Sequence, residues 1–344
     1  MSDWQDFLRA RGARIDGDGV VVDFGSPEAE LALASGGDLI TDLSQLGLVT
    51  VSGADAAALL QGQQTSDVRE VSASRSQLGG VCSNKGRLIA TYRVVQRDAT
   101  YCLVLPRAQT ATLAARLRLY VLRSKASVAE ASGELVLLGL QGAGAAMRAQ
   151  SLLGGLPPAV DDVRHYAGLT MVRLRGALPR FLILLPPARA PEIWSALAEV
   201  ANPVGQAPWG LSEIYAGVPQ VFPETREAFV PQMVNLEAVG GVSFNKGCYT
   251  GQEIVARTQY LGRLKRRMYR AHVDSPSPPT PGQDLFSPVD PSDQSVGKVV
   301  AAEAHPGGGY ELLAVIQNEA AQAPVHLGAK DGPLLALGEL PYPL

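Results

Sequence analysis

FNKGCYTGQEIVAR, residues 244–257, sets a lysine, a glycine, a cysteine and a tyrosine directly ahead of an expected helix start. Thr250 is followed three residues later by Glu253, the spacing of a capping box. In that arrangement the Thr hydroxyl takes an N–H of the first turn and the Glu carboxylate returns to the N–H of Thr250. Cys248 would then sit just outside a helix N-terminus, two residues from Lys246, where dipole and cation both favour the thiolate. The other reading of Cys248 is a small buried hydrophobe, as most free cysteines are. Local pattern alone leaves both open.

Outward from this stretch, composition sets bounds. A chain of 344 residues with 46% hydrophobic content buries a large core and is long enough for two or three domains. The net charge of −3 argues against a protein wrapped in nucleic acid. Cys82, Cys102 and Cys248 are widely spaced, with no Cys-x-x-Cys and no clustering with the four histidines, so no metal site is expected. Such sparse thiols fit a reducing cytosol, and a cytoplasmic location is expected. MSDWQDFLRARG has no apolar core of signal-peptide length, and the apolar run 181–185 is too short for a bilayer, so no membrane partner is expected.

Periodicity organises the rest. Ser2 with Gln5 offers a capping box, and Trp4, Phe7 and Leu8 give an apolar helical stripe over residues 3–11. Strands are expected at 20–24, 47–51 and 101–105, with helices from Asp55 and over 109–122. Two β-rich runs between Gly79 and Gln96 flank Ser83-Asn84-Lys85-Gly86, which has hairpin chemistry. Strand, helix, strand, strand, helix follows at 134–140, 144–153, 169–174, 181–185 and 191–200, the pattern of a ferredoxin-like α+β unit. After Gly262, short strands alternate with Gly-rich turns and predict a small β-barrel. Cys102 lies inside an alternating strand and reads as core; Cys82 borders the hairpin turn, with packing the favoured role.

KGCYTGQE followed by IVAR resembles the signature of the YgfZ-type folate-binding proteins, relatives of the aminomethyltransferase (T-protein) of the glycine cleavage system. LVTVSGADAAALLQGQQTSD at 48–67, CSNKGR at 82–87, AGVP at 216–219, FVPQMVNLEAVGG at 229–241 and the closing LPYPL support it in the expected order. The resemblance implies two ferredoxin-like α+β lobes around a central channel plus the C-terminal barrel. The lobes would be residues 1–125 with 205–261 and residues 126–204, and the barrel 262–344. It implies a reduced folate, tetrahydrofolate or a derivative, in the channel, with Lys85, Glu213, Tyr215, Tyr249, Gln252, Glu253 and Arg257 as binding residues. Cys248 would be the reactive thiol, with Lys246 beside it. The function implied is support for assembly or repair of iron–sulfur clusters in client enzymes, tRNA-modifying ones among them.

Two departures bear on activity. Where the aminomethyltransferases carry an acidic pair, one member of which serves methylene transfer, this chain has Ala90 and Thr91. Where they carry the glutamate that grips the pterin, it has Tyr215, with Glu213 two residues earlier. A working aminomethyltransferase is therefore the lesser alternative. A further one is direct tRNA binding through Arg263, Lys265, Arg266, Arg267 and Arg270, a run otherwise read as a solvated strand face, with Tyr269 as its interleaved aromatic.

Overall fold

The computed structural model describes residues 2–290 and 294–344; the side chain of Ser2, and with it the expected first capping box, lies outside what is described. The chain forms two compact units. One comprises Met1–Ala56, Glu70–Gln77 and Arg93–Ser212, the other Ala57–Arg69, Leu78–Tyr92 and Glu213–Leu344.

In the first unit a six-stranded sheet runs in the order Val163–Tyr166, Leu169–Leu174, Arg180–Leu185, Val136–Gln141, Leu39–Asp42, Asn202–Val204. Alternation along Val136–Gln141 explains its two cores. Val136, Leu138 and Leu140 pack with Ala145, Ile193, Trp194 and Leu197 of the helices Ala143–Leu152 and Ala190–Ala198. Leu137 on the opposite face joins Leu182, Leu184 and Trp209. Gly139 lies under Trp209, where a Cβ would come within 2.6 Å of the indole.

The expected strand–helix–strand–strand–helix run is present, but the sheet departs from a plain ferredoxin-like one. Leu39–Asp42 lies between Val136–Gln141 and Asn202–Val204, pairing antiparallel with the first and parallel with the second. It leaves no sequence signal because it is only four residues long and half polar, offering neither an alternation nor an apolar run. A second sheet in this unit pairs Thr100–Pro106 with the end of Leu88–Arg97 and with Leu46–Ser52, and Ser127–Glu130 flanks Leu46–Ser52.

The second unit holds all but the first residue of Gln77–Cys82, which forms a hairpin with the start of Leu88–Arg97, closed by Ser83 N to Arg87 O and Gly86 N to Ser83 O hydrogen bonds at 2.8 and 2.9 Å. Its C-terminal part is a curled six-stranded half-barrel, ordered His326–Leu327, Asp284–Phe286, Gly297–Ala304, Tyr310–Gln317, Arg266–Val273, Leu335–Gly338. All its named pairings are antiparallel, and its end strands meet only through the bridge His326–Leu334 and the hydrogen bonds beside it. Tyr310–Gln317 is the axis of this sheet because both its faces are apolar. Leu313 and Val315 pack with Phe229, Val234 and Val255, while Leu312, Ala314 and Ile316 pack with Ala271, Val273 and Leu285.

Candidate functional site

Every expected site residue, from Lys85 through Glu213 and Tyr215 to Arg257, belongs to the second unit. At the centre is Lys246. Its Nζ donates to the backbone carbonyls of Gln61, Gln64 and Ser66 at 2.8, 2.7 and 2.9 Å. An ammonium has three donors and no acceptor, so this socket uses all of them. The side chain is 7% exposed, and burial pulls its pKa down to about 8, with the Asp67 carboxylate opposing the fall and Arg69 adding to it. The charge also lies 5.0 Å over the Tyr249 ring.

The socket is itself braced. Gln61 donates to Asp67 Oδ1 at 3.0 Å and accepts from the Val68 N–H at 2.9 Å. The Arg69 guanidinium beside Asp67 holds its carboxyl well below the usual range. Lys246 is thus directed into a loop some 180 residues upstream. Cys248 beyond it is left exposed. The other two thiols are buried, and burial pushes Cys82 up to about 12 and Cys102 up to about 11.

The expected capping box is not formed. The helix is Gln252–Tyr260, its N-cap is Gly251 at φ 83°, and no side chain caps it. Thr250 Oγ1 instead donates to Gln63 Oε1 at 3.3 Å, and Glu253 pairs with Arg257 at 3.1 Å on the surface. The chain turns through a left-handed residue that only glycine adopts cheaply, which moves the helix start one position on and puts Glu253 out of reach of the capping role. Cys248 accordingly stands three residues before the N-cap, where the dipole contributes little.

That turn interlocks with the hairpin carrying Lys85. A Cβ on Gly251 would lie 2.4 Å from the Ser83 carbonyl oxygen, and one on Gly86, at φ 67°, would lie 2.7 Å from Ile254 Cβ. Two positive-φ glycines let the backbones approach where any side chain would collide. Lys85 at the hairpin tip is exposed, and Arg87 fixes the base through hydrogen bonds to the carbonyls of Ala228 at 2.7 Å and Glu227 at 3.3 Å. The structure therefore brings Lys85 to the start of the helix that holds Gln252, Glu253 and Arg257. Tyr215 ends the helix Gln206–Tyr215, half-buried, its ring 5.7 Å from the Arg270 guanidinium, and Glu213 is half-buried two residues before it.

Ala90 and Thr91 are buried, and Thr91 Oγ1 donates to Pro219 O at 3.2 Å while accepting from Val221 N–H at 3.0 Å. Thr91 thus anchors Pro219 at the end of the AGVP segment, and the neutral pair offers no carboxylate. Among the described residues no group of three or more His, Cys, Asp or Glu could hold a metal ion, and no described helix is long and apolar enough to cross a membrane.

The socket loop is what sequence reasoning missed. Its acceptors are main-chain carbonyls, which carry no residue signature; the only trace was the motif QGQQTSD itself.

Residues 25–177 match the GCVT N-terminal domain. Among solved structures, the glycine cleavage system aminomethyltransferase T from Bartonella henselae superposes with a TM-score of 0.76 over 98% of this chain and 96% of that one, at 16% sequence identity. The chain thus has the mixed α+β fold of the glycine cleavage T-protein class. The curated tRNA-modifying protein YgfZ of Sodalis glossinidius is 32% identical over 308 residues, 88% of this chain and 92% of the relative. Its namesake from Edwardsiella ictaluri is 32% identical over 86% of this chain and 89% of the relative. This chain belongs to the YgfZ family.

Proposed function

We propose that this chain binds a reduced folate and serves as an accessory to iron–sulfur enzymes in the cytoplasm, tRNA-modifying ones among them, with Cys248 as its reactive thiol. The observation that carries the reading is an exposed Cys248 on a turn whose two sides are immobilised, by Lys246 in its carbonyl socket and by the interlocked Gly86 and Gly251. A thiol so presented, with the other two buried, is placed to act on something outside the chain as a nucleophile or soft ligand.

The residues present fit a folate as ligand. Lys85 and Arg257, both exposed cations, suit the carboxylates of a glutamate tail, while half-buried Glu213, Tyr215 and Gln252 and the buried Tyr249 suit a polar aromatic ring system. They do not fit methylene transfer, because Ala90 and Thr91 supply no acid and Thr91 is committed to Pro219 and Val221. The reading is therefore one of folate binding without aminomethyl transfer.

The test uses one variant and two readouts. Tetrahydrofolate titration by tryptophan fluorescence is expected to saturate for wild type and Cys248→Ser alike. In a bacterial strain lacking its own YgfZ, wild type is expected to restore thiolated tRNA nucleosides and Cys248→Ser to leave them depleted. No saturable folate binding up to about millimolar concentration, a range in which weak specific ligands still bind, would remove the ligand. Full restoration by Cys248→Ser would remove the thiol.

A further inference from the structure

The basic run behind the motif divides into two sets. Arg257 pairs with Glu253, Arg267 with Glu237 and Arg270 with Glu311. Arg263, Lys265 and Arg266 have no acidic partner among the described residues, and Arg263 and Lys265 are exposed. Beside them, at the end of the helix Gln252–Tyr260, Tyr260 is 67% exposed and Leu261 86% exposed. Phe244 meets the Tyr260 ring edge-on at 6.1 Å and 72°, which fixes the ring while leaving a face open to solvent. Tyr269, the aromatic interleaved with the basic run in the sequence, is half-buried in the half-barrel.

We infer that Tyr260 with Arg263, Lys265 and Arg266 forms a docking surface for single-stranded RNA. An open, braced aromatic face supplies a platform for one base, and uncompensated cations on the following residues neutralise the adjoining phosphates. An acidic peptide would satisfy the cations but makes no use of a flat exposed ring. In a chain of net charge −3, a cluster of three cations without acids is a local exception that favours a polyanion. The surface lies on the helix that begins four residues after Cys248, and Phe244 ties it to the same motif. The inference deepens the tRNA-linked part of the proposed function and rests on it.

The experiment is fluorescence anisotropy of the full chain with a labelled single-stranded RNA of about 12 nucleotides across a series of KCl concentrations. Three phosphate contacts predict a slope of log affinity against log salt of about −2. Tyr260→Ala is expected to weaken binding roughly 5- to 100-fold, and Tyr260→Phe to change it by less than about twofold. Arg263→Ala with Lys265→Ala is expected to shallow the slope by about 1.4. Thermal unfolding of each variant confirms folding, which these exposed positions leave intact. Absence of saturable binding at low salt, or binding unaffected by Tyr260→Ala, overturns the inference. So does loss of affinity for a purified tRNA-thiolating enzyme on Tyr260→Ala when wild type binds no RNA, which reassigns the surface to a protein. Tetrahydrofolate titration of the same preparations separates this failure from that of the proposed function, since folate binding persists if only the RNA surface is wrong.

Discussion

Asn-Lys-Gly occurs twice, at 84–86 and at 245–247, and the two copies have opposite fates. In the first, the lysine is exposed and the glycine is buried against Ile254 at positive φ. In the second, the lysine is buried in three carbonyls and the glycine is exposed, with nothing within 4 Å of where a Cβ would be. The flanking cysteines invert as well: Cys82 before the first copy is buried, and Cys248 after the second is exposed. A tripeptide carries no fate of its own. What decides is whether the neighbouring backbone presents acceptors to the lysine or a surface to the glycine.

The comparison breaks most visibly at the thiols. Alkylation of the folded chain at pH 8 is expected to modify Cys248 first, with Cys82 slower by about three decades or more, because a thiol pushed up to about 12 has few thiolates and no access. Peptide mapping of the adduct reads this directly, and comparable labelling at both would erase the contrast. Next comes the lysine pair. Lys246→Met leaves three carbonyls without their donor and is expected to cost about 2–4 kcal/mol in urea unfolding, whereas Lys85→Met should stay within about 0.5 kcal/mol.

The glycines sharpen the comparison further. Gly86→Ala or Gly251→Ala is expected to cost about 2–3 kcal/mol through overpacking and positive φ together, while Gly247→Ala should cost less than about 0.5 kcal/mol. Equal losses at all three positions would mean that the interlocked turn has been misjudged.

The same lysine also carries a dependence on pH. Lys246 titrates at about 8 in the folded chain against 10.5 ordinarily, so between those values the unfolded chain binds the extra proton. Stability should therefore rise with pH through that window in wild type relative to Lys246→Met. Denaturant midpoints at pH 7, 8.5 and 10 check the sign, and a difference that falls instead would place the lysine in a less buried setting.

These contrasts also mark where the sequence was legible. Apolar runs, alternation and helical stripes locate most strands and helices of the first unit, because these elements are long enough to show an apolar pattern. Leu39–Asp42, four residues long and half polar, leaves no such pattern, and its insertion is why the sheet is not a plain ferredoxin-like one. At the site, the spacing of the motif suggested local causes that the backbone overrides. Thr250 and Glu253 had capping-box spacing, yet the conformation of Gly251 overrode it. Lys246 stood two residues from Cys248, yet its charge was already taken by carbonyls far upstream. Tyr260 carries no signal in the sequence, because exposure at a helix end is decided by where the chain leaves the helix, not by residue type.

The strand order of the half-barrel has a consequence for the order of assembly. Gly297–Ala304 and Tyr310–Gln317 form a hairpin with a short connection, so their contacts cost little chain entropy to close. Leu335–Gly338 must find Arg266–Val273 across more than sixty residues before it gains its partners. The half-barrel is therefore expected to grow outward from that hairpin and to pair Leu335–Gly338 with Arg266–Val273 last. Amide hydrogen exchange should show the reverse sequence on opening, with Leu335–Gly338 exchanging first and Tyr310–Gln317 holding to the end.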